Sequence, residues 1–214
     1  VARQPLPKKY LNRARSIANP TGWTAPKLKE LIGACAAASA HVEMQFSLLM
    51  GSMLGIENAA SVAVFCSIRN SRARREALEA AARHVLDGNT EPLFKAIMKE
   101  YSEVDSFRND IVHGIWGQVE GVDDAVIWLS TENYAVWLIN AYHEQKAPKE
   151  PPGEKWLRYC HLWKLSEIGD VVRRLNGLQD AIGNLHGYLR YRDQPAGKNA
   201  LDRLQKAPFI LSTP

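Results

Sequence analysis

LIGACAAASAHVEMQFSLLMGSMLGI, residues 31–56, carries one formally charged side chain, Glu43, and the fold turns on whether it crosses a membrane or fills a helical core. Its length would permit a crossing. Ala, Gly and Ser dilute its apolar character, however, and His41, Glu43 and Gln45 sit in its middle, where hydrocarbon penalises polar groups most. The stretch therefore reads as the central, largely buried helix of a soluble bundle, with no membrane span. Leu28, Leu31, Ile32, Cys35, Val42, Phe46, Leu49 and Met53 recur at helical spacing. With Thr24 and Pro26 as a start signal, they predict a helix over roughly 25–54.

C-terminal to it, Asn58 is a candidate cap for a second helix with apolar positions Val62, Phe65, Ile68, Leu78 and Val85. The basic run IRNSRARRE interrupts it on a face expected to meet water, and Asp87-Gly88 ends it. Thr90, Glu91 and Pro92 open a third helix, whose stripe of Leu93, Ile97, Tyr101, Val104, Phe107 and Ile111 runs to a stop at Gly114. The pattern then changes to IWGQVEGVDDAVIWLST, two β-prone runs about a Gly/Asp turn, which predicts a hairpin. Tyr134 to Ala141 adds a strand or a short helix, and WLRYCHLWKL fits a returning strand after the turn-rich QKAPKEPPGEK.

A last helix is expected from a Ser166 cap to about Arg192, with Ile168, Val171, Val172, Leu175, Leu178, Ile182, Leu185 and Leu189 on its buried side. Gly177, Gly183 and Gly187 weaken it, each by roughly 1 kcal/mol against alanine, unless close helix packing requires them. The expected fold is mainly α, a four-helix up-and-down bundle with a small β-rich insertion between helices three and four. As domains, 1–24 form a basic N-terminal lead-in, 25–192 one helical domain with its insertion at about 115–163, and 193–214 a loosely held tail.

Composition narrows the function. The 214 residues, 46% hydrophobic and 23% charged, exclude a wholly disordered or collagen-like chain. Cys35, Cys66 and Cys160 are odd in number and include no Cys-x-x-Cys pair, against a disulfide framework or a cysteine-based zinc site and in favour of a reducing cytoplasm. The basic N-terminus is followed by no apolar core, so it does not read as a secretory signal. The net charge of +4 is unevenly spread: residues 1–30 carry seven Lys/Arg against one acid, 100–133 eight acids against Arg108 alone, and 155–206 ten bases against five acids. Basic ends could meet nucleic acid, although solvated surface charge also explains them.

Nucleotide-binding glycine loops, H-E-x-x-H and G-x-S-x-G are all absent from the sequence, which disfavours nucleotide hydrolases, dinucleotide oxidoreductases, zinc proteases and α/β-hydrolases. Cys160-His161 lacks further ligands at metal spacing and reads as a buried thiol, so neither a metal nor a cofactor is expected. His84 lies near a helix end, where the dipole accounts for it. His41, His143 and His186 show no organised partners.

What remains is FRNDIVHGIW at the end of the third helix, with Arg108, Asn109, Asp110 and His113. At about 100° per residue, Asn109 and His113 share a helix face, whereas Arg108 and His113 are about 140° apart. The long arginine stem can reach round. A permanent planar cation suited to phosphate would then lie beside an imidazole able to exchange a proton near neutral pH, with an amide to orient it. Metal-free RNA cleavage needs a base for the 2′-hydroxyl, a cation for the phosphorane and an acid for the leaving oxygen. The plainer reading is a helix stop, a cationic residue followed by a C′ glycine, with Arg108 ion-paired.

Arg108-Asn109-x-x-x-His113 resembles the R-x(4–6)-H signature of the HEPN superfamily, including the polar residue directly after the arginine. The setting is similar too, late in a helical bundle preceded by a long apolar helix. The resemblance implies a metal-independent endoribonuclease acting on single-stranded RNA, commonly completed across a two-fold homodimer, and often a toxin or antiviral effector. Arg108 and His113 would be catalytic, assisted by Asn109, with Asp110 in support. RNA would need basic surface from elsewhere, on Arg72, Arg74 and Arg75 or on the last helix. An antitoxin or a nucleotidyltransferase-type protein would be a further partner. Other members have lost activity and serve as binding or scaffolding modules. The acidic surroundings of Arg108 and the β-rich insertion both depart from the family pattern. Independently of any family, Glu43, alone in its span, should be buried enough to require a partner. Arg108 is the natural candidate, either in support of the site or as a structural bridge.

Overall fold

The computed structural model describes residues 4–7, 26–119, 122–144 and 159–211. Among them lie eight helices and four strands: β1 (Gln4–Pro5), α1 (Pro26–Leu54), α2 (Asn58–Ser67), α3 (Ser71–Val85), α4 (Glu91–His113), β2 (Ile115–Val119), β3 (Val122–Leu129), α5 (Thr131–Glu144), β4 (His161–Lys164), α6 (Leu165–Arg190), α7 (Pro195–Gln205) and α8 (Pro208–Leu211). The protein is thus mainly helical with a small antiparallel sheet. The chain gathers into two compact units, one of residues 1–35 and 107–172 and the other of residues 36–106 and 173–214. By these bounds α1, α4 and α6 each contribute residues to both units.

The first unit holds the sheet, in the order β1-β4-β3-β2. The expected hairpin is present: β2 pairs antiparallel with β3, Trp116 opposite Trp128, with a register shift at Gln118/Val119. Its turn at 120–121 lies outside the described residues, as does the connection at 145–158. The returning strand is β4, which pairs with β3 through Ala125–Lys164 and Trp128–His161. On its other side β4 meets β1, where Pro5 is tolerated because an edge position asks for no further ladder hydrogen bond. β3 is buried without alternation from Ala125 to Leu129, so both its faces are covered. That explains why its sequence is a continuous apolar run. Ile127, Leu129, Cys160 and Leu6 form one cluster, with Ile115, Val122, Tyr134 and Leu162 against it. The stretch from Tyr134 to Ala141, left open between strand and helix, lies within the helix α5.

In the second unit, Val42, Phe46, Leu49, Ile97, Val104, Leu175, Leu178, Ile182 and Leu185 are buried, each worth roughly 1.5–3 kcal/mol of apolar transfer. Phe46 meets Tyr101 edge-on at 4.9 Å between ring centroids. A Cβ at Gly183 would lie 3.3 Å from Gln45 Oε1, so close packing accounts for that glycine, whereas Gly177 faces open space and is not explained this way. Arg174 joins α6 to α4, its Nε donating to Glu100 Oε1 at 2.6 Å and its Nη2 to Glu103 Oε2 at 3.0 Å.

Three expectations are corrected. The second helix is two, because Asn70 turns the basic run into a helix start: its Oδ1 accepts from the Arg72 and Ala73 amides at 2.8 and 3.2 Å. Asn58 does not cap α2; it is the first helical residue after Glu57, and its Oδ1 accepts from Arg190 Nη1 at 2.8 Å. Residues 195–211, expected to be loosely held, form α7 and α8, with Pro195 at the helix start and Leu204 fully buried. Among the described residues no single helix is long and apolar enough to cross a membrane; α1 and α2 together are, but the chain bends by 118° between them.

Candidate functional site

Arg108, Asn109, Asp110 and His113 all lie in the last two turns of α4, within the first unit. Arg108 and Asp110 are partly buried; Asn109 and His113 are exposed. Arg108 Nη1 donates to Asn109 Oδ1 at 2.8 Å, so the residue after the arginine holds one side of its guanidinium. Arg108 also acts on Cys35: burial pushes that thiol up to about 11, and the arginine's charge draws it back part of the way. The cation is thus close enough to α1 to be felt in the protein interior, where charges are poorly screened. The His113 ring makes no hydrogen bond or ion pair among the described residues. α4 is continuous, so Arg108 and His113 remain about 140° apart and about 7.5 Å along the axis. One chain therefore places a partly buried cation and a solvent-facing imidazole on different sides of one helix.

How α4 ends is the local feature that sequence reasoning missed. The last carbonyls of a helix lack intrahelical donors, and here the β-rich insertion supplies them. Trp128 Nε1 donates to the Asp110 carbonyl at 2.7 Å, Trp116 Nε1 to that of Ile111 at 3.1 Å, and Thr131 Oγ1 to that of His113 at 2.6 Å. Gly114 is not the left-handed stop expected of it, since Gly55 is the one described glycine with positive φ. A Cβ at Gly114 would instead lie 1.7 Å from Trp128 Nε1, so glycine is there to admit the indole. The available signal was two tryptophans in facing β-prone runs directly after a helix-terminal glycine.

The other predicted site residues are placed in the second unit. Glu43 is paired: Arg74 Nη1 donates to its Oε2 at 3.0 Å. Its side chain is 39% exposed, more than its apolar sequence setting suggested. Arg74 also donates from Nε to the Ile68 carbonyl at 2.6 Å and stacks 5.2 Å over the Phe65 ring. It thereby ties the corner between α2 and α3. Arg75 is half-buried, donating from Nη1 to Ser102 Oγ at 3.3 Å and lying over Tyr101. Arg72 alone of the three projects into solvent, beside Glu76. The basic run does not form the single water-facing surface expected, because Arg74 and Arg75 are used to pack its helix.

Cys160 is a buried thiol as expected, pushed up to about 12 by desolvation. Among the described residues no group of three or more His, Cys, Asp or Glu could hold a metal ion. His41 and His84 are exposed, while His186 is hydrogen-bonded to Ser52; the His143 side chain is outside the described residues. No family model matches the chain, and comparison with curated proteins and with solved structures finds no match.

Proposed function

We propose that this chain is a metal-independent endoribonuclease of HEPN type, acting on single-stranded RNA as a homodimer. The observation that carries the reading is the last two turns of α4, where Arg108 is held by Asn109 and His113 stands exposed at the helix end. In the reaction a base removes the 2′-hydroxyl proton, the 2′-oxygen attacks phosphorus in line, and an acid protonates the departing 5′-oxygen, leaving a 2′,3′-cyclic phosphate. Arg108 stabilises the extra charge on the phosphorane as a planar cation. A neutral and a protonated His113 from two copies divide the base and acid work. A second copy also answers the angular separation, since the Arg108 of one chain then need not meet its own His113. The acidic stretch around Arg108 is less hostile to RNA than its composition suggests, because Arg174 pairs with Glu100 and Glu103 and offsets one of their two charges.

A catalytically silent binding or scaffolding module is the second reading, favoured by the partial burial of Arg108 against the exposure of His113. The two separate on an RNA substrate in the presence of chelator. Cleavage should persist in EDTA and fall by about a hundredfold or more in Arg108→Ala and in His113→Ala. Equal cleavage by wild type and both variants removes the nuclease reading, and no cleavage by any of them leaves the silent module.

A further inference from the structure

α3 and α4 are joined by residues 86–90, a short connection of the kind that sets two helices antiparallel. Between them, in the second unit, is an open cleft of about 490 Å³, within the range of small-molecule sites. Its floor is apolar: Ala82, Phe94 and Met98, each under 10% exposed, are its uncharged lining. Its rim is unevenly charged. Arg75, Arg83, Lys95 and Lys99 oppose Glu79 and Glu91, and the Lys95–Glu91 pair at 2.6 Å cancels one of each.

The excess cation gathers at one end. Arg75 donates to Ser102, which fixes the register of the two helices there, and Lys99, one turn before Ser102, shares that end. Lys99 has no ion pair among the described residues, and Arg75 Nε is shielded from solvent without a hydrogen-bond acceptor. The guanidinium of Arg75 carries no ion pair among the described residues either, so its charge and that of Lys99 are both open to an anion in the cleft. Glu79, one turn along α3, disfavours a multiply charged head. Phe94 lies in the floor and offers no exposed ring face, so the cleft lacks the stacking platform that single-stranded nucleic acid requires.

We propose that the cleft between α3 and α4 binds a small amphiphilic monocarboxylate, its carboxylate on Arg75 and Lys99 and its hydrocarbon chain on Ala82, Phe94 and Met98. Between Arg75 and Arg83 the cleft runs about 12 Å along α3, enough for a chain of medium length. Planar arginine donors match a carboxylate two-pronged, and the stems of Arg83 and Lys95 extend the apolar walls. This site stands independently of the nuclease reading, since none of its residues belongs to the Arg108–His113 motif.

Titration calorimetry of the full chain with octanoate, 1-octanol, acetate and inorganic phosphate tests it. The expected result is saturable one-to-one binding of octanoate, with the other three at least about tenfold weaker. Lys99→Gln, an exposed position, should weaken octanoate about tenfold and leave 1-octanol unchanged, and Met98→Trp should abolish binding by filling the cleft. Equal affinity for 1-octanol, or for acetate or phosphate, overturns the proposal, as does the absence of octanoate binding. Undiminished binding in both variants with wild-type circular dichroism places the ligand elsewhere. Displacement of octanoate by a lower concentration of single-stranded RNA would reassign the cleft to nucleic acid.

Discussion

His186 of α6 is hydrogen-bonded through Nδ1 to Ser52 Oγ of α1 at 2.7 Å. Burial pushes its imidazole below the ordinary value near 6.5, and the Arg190 charge adds to this, while a hydrogen bond with the Leu48 backbone opposes it. The neutral ring is therefore favoured by the folded chain more than by the unfolded one. Its contribution to stability is fully present above pH 6.5, and it is lost as pH falls from there through the lowered folded value. Denaturant midpoints measured between pH 8 and pH 5 should decline on the acid side, and His186→Gln should flatten part of that decline. An identical pH profile in the variant would show that the ring does not couple to folding. This residue had no organised partner in the linear sequence because Ser52 is 134 positions away.

At the scale of elements, the C-terminus of α4 and the β-rich insertion form one device. Two indoles and a hydroxyl cap the carbonyls of the turns that carry Arg108 and His113, each a hydrogen bond worth about 1 kcal/mol net. Gly114→Ala drives a methyl into the Trp128 ring and should destabilise the fold by about 1–3 kcal/mol, read as a fall in the urea midpoint. A left-handed glycine would predict a similar loss but would be relieved by asparagine. Here Gly114→Asn should be at least as damaging as alanine, and a milder effect would return Gly114 to an ordinary helix stop. The spans of α1 and α4, the hairpin and the returning strand were legible because periodicity and turn residues are local. The α2–α3 corner was misread although its signal, Asn70 before Ser71-Arg72, was also local; the apolar stripe on either side masked it.

At the scale of the whole molecule, the nuclease reading makes a demand that no monomer meets. If one centre draws on the His113 of both chains, His113→Ala should poison the wild-type chain. Mixed in equal amounts and allowed to exchange, about half the dimers are heterodimers with one histidine missing, so cleavage should fall to about half that of the same wild type alone. Undiminished cleavage, with exchange verified by differential labelling, would confine the centre to a single chain.

Amphipathic spacing and turn chemistry were enough to specify a mainly helical chain with a hairpin and a returning strand late in its length, since both act over a few residues; the edge strand β1 at Gln4–Pro5 was not foreseen. The placement of Arg108 and His113 on one helix end was equally readable, because a helix imposes the angle between any two of its positions. The partners of long side chains were not. Glu43 meets Arg74 at the α2–α3 corner, and Gly114 exists for the indole of Trp128. Contacts between residues distant along the chain arise from packing, which linear spacing does not encode.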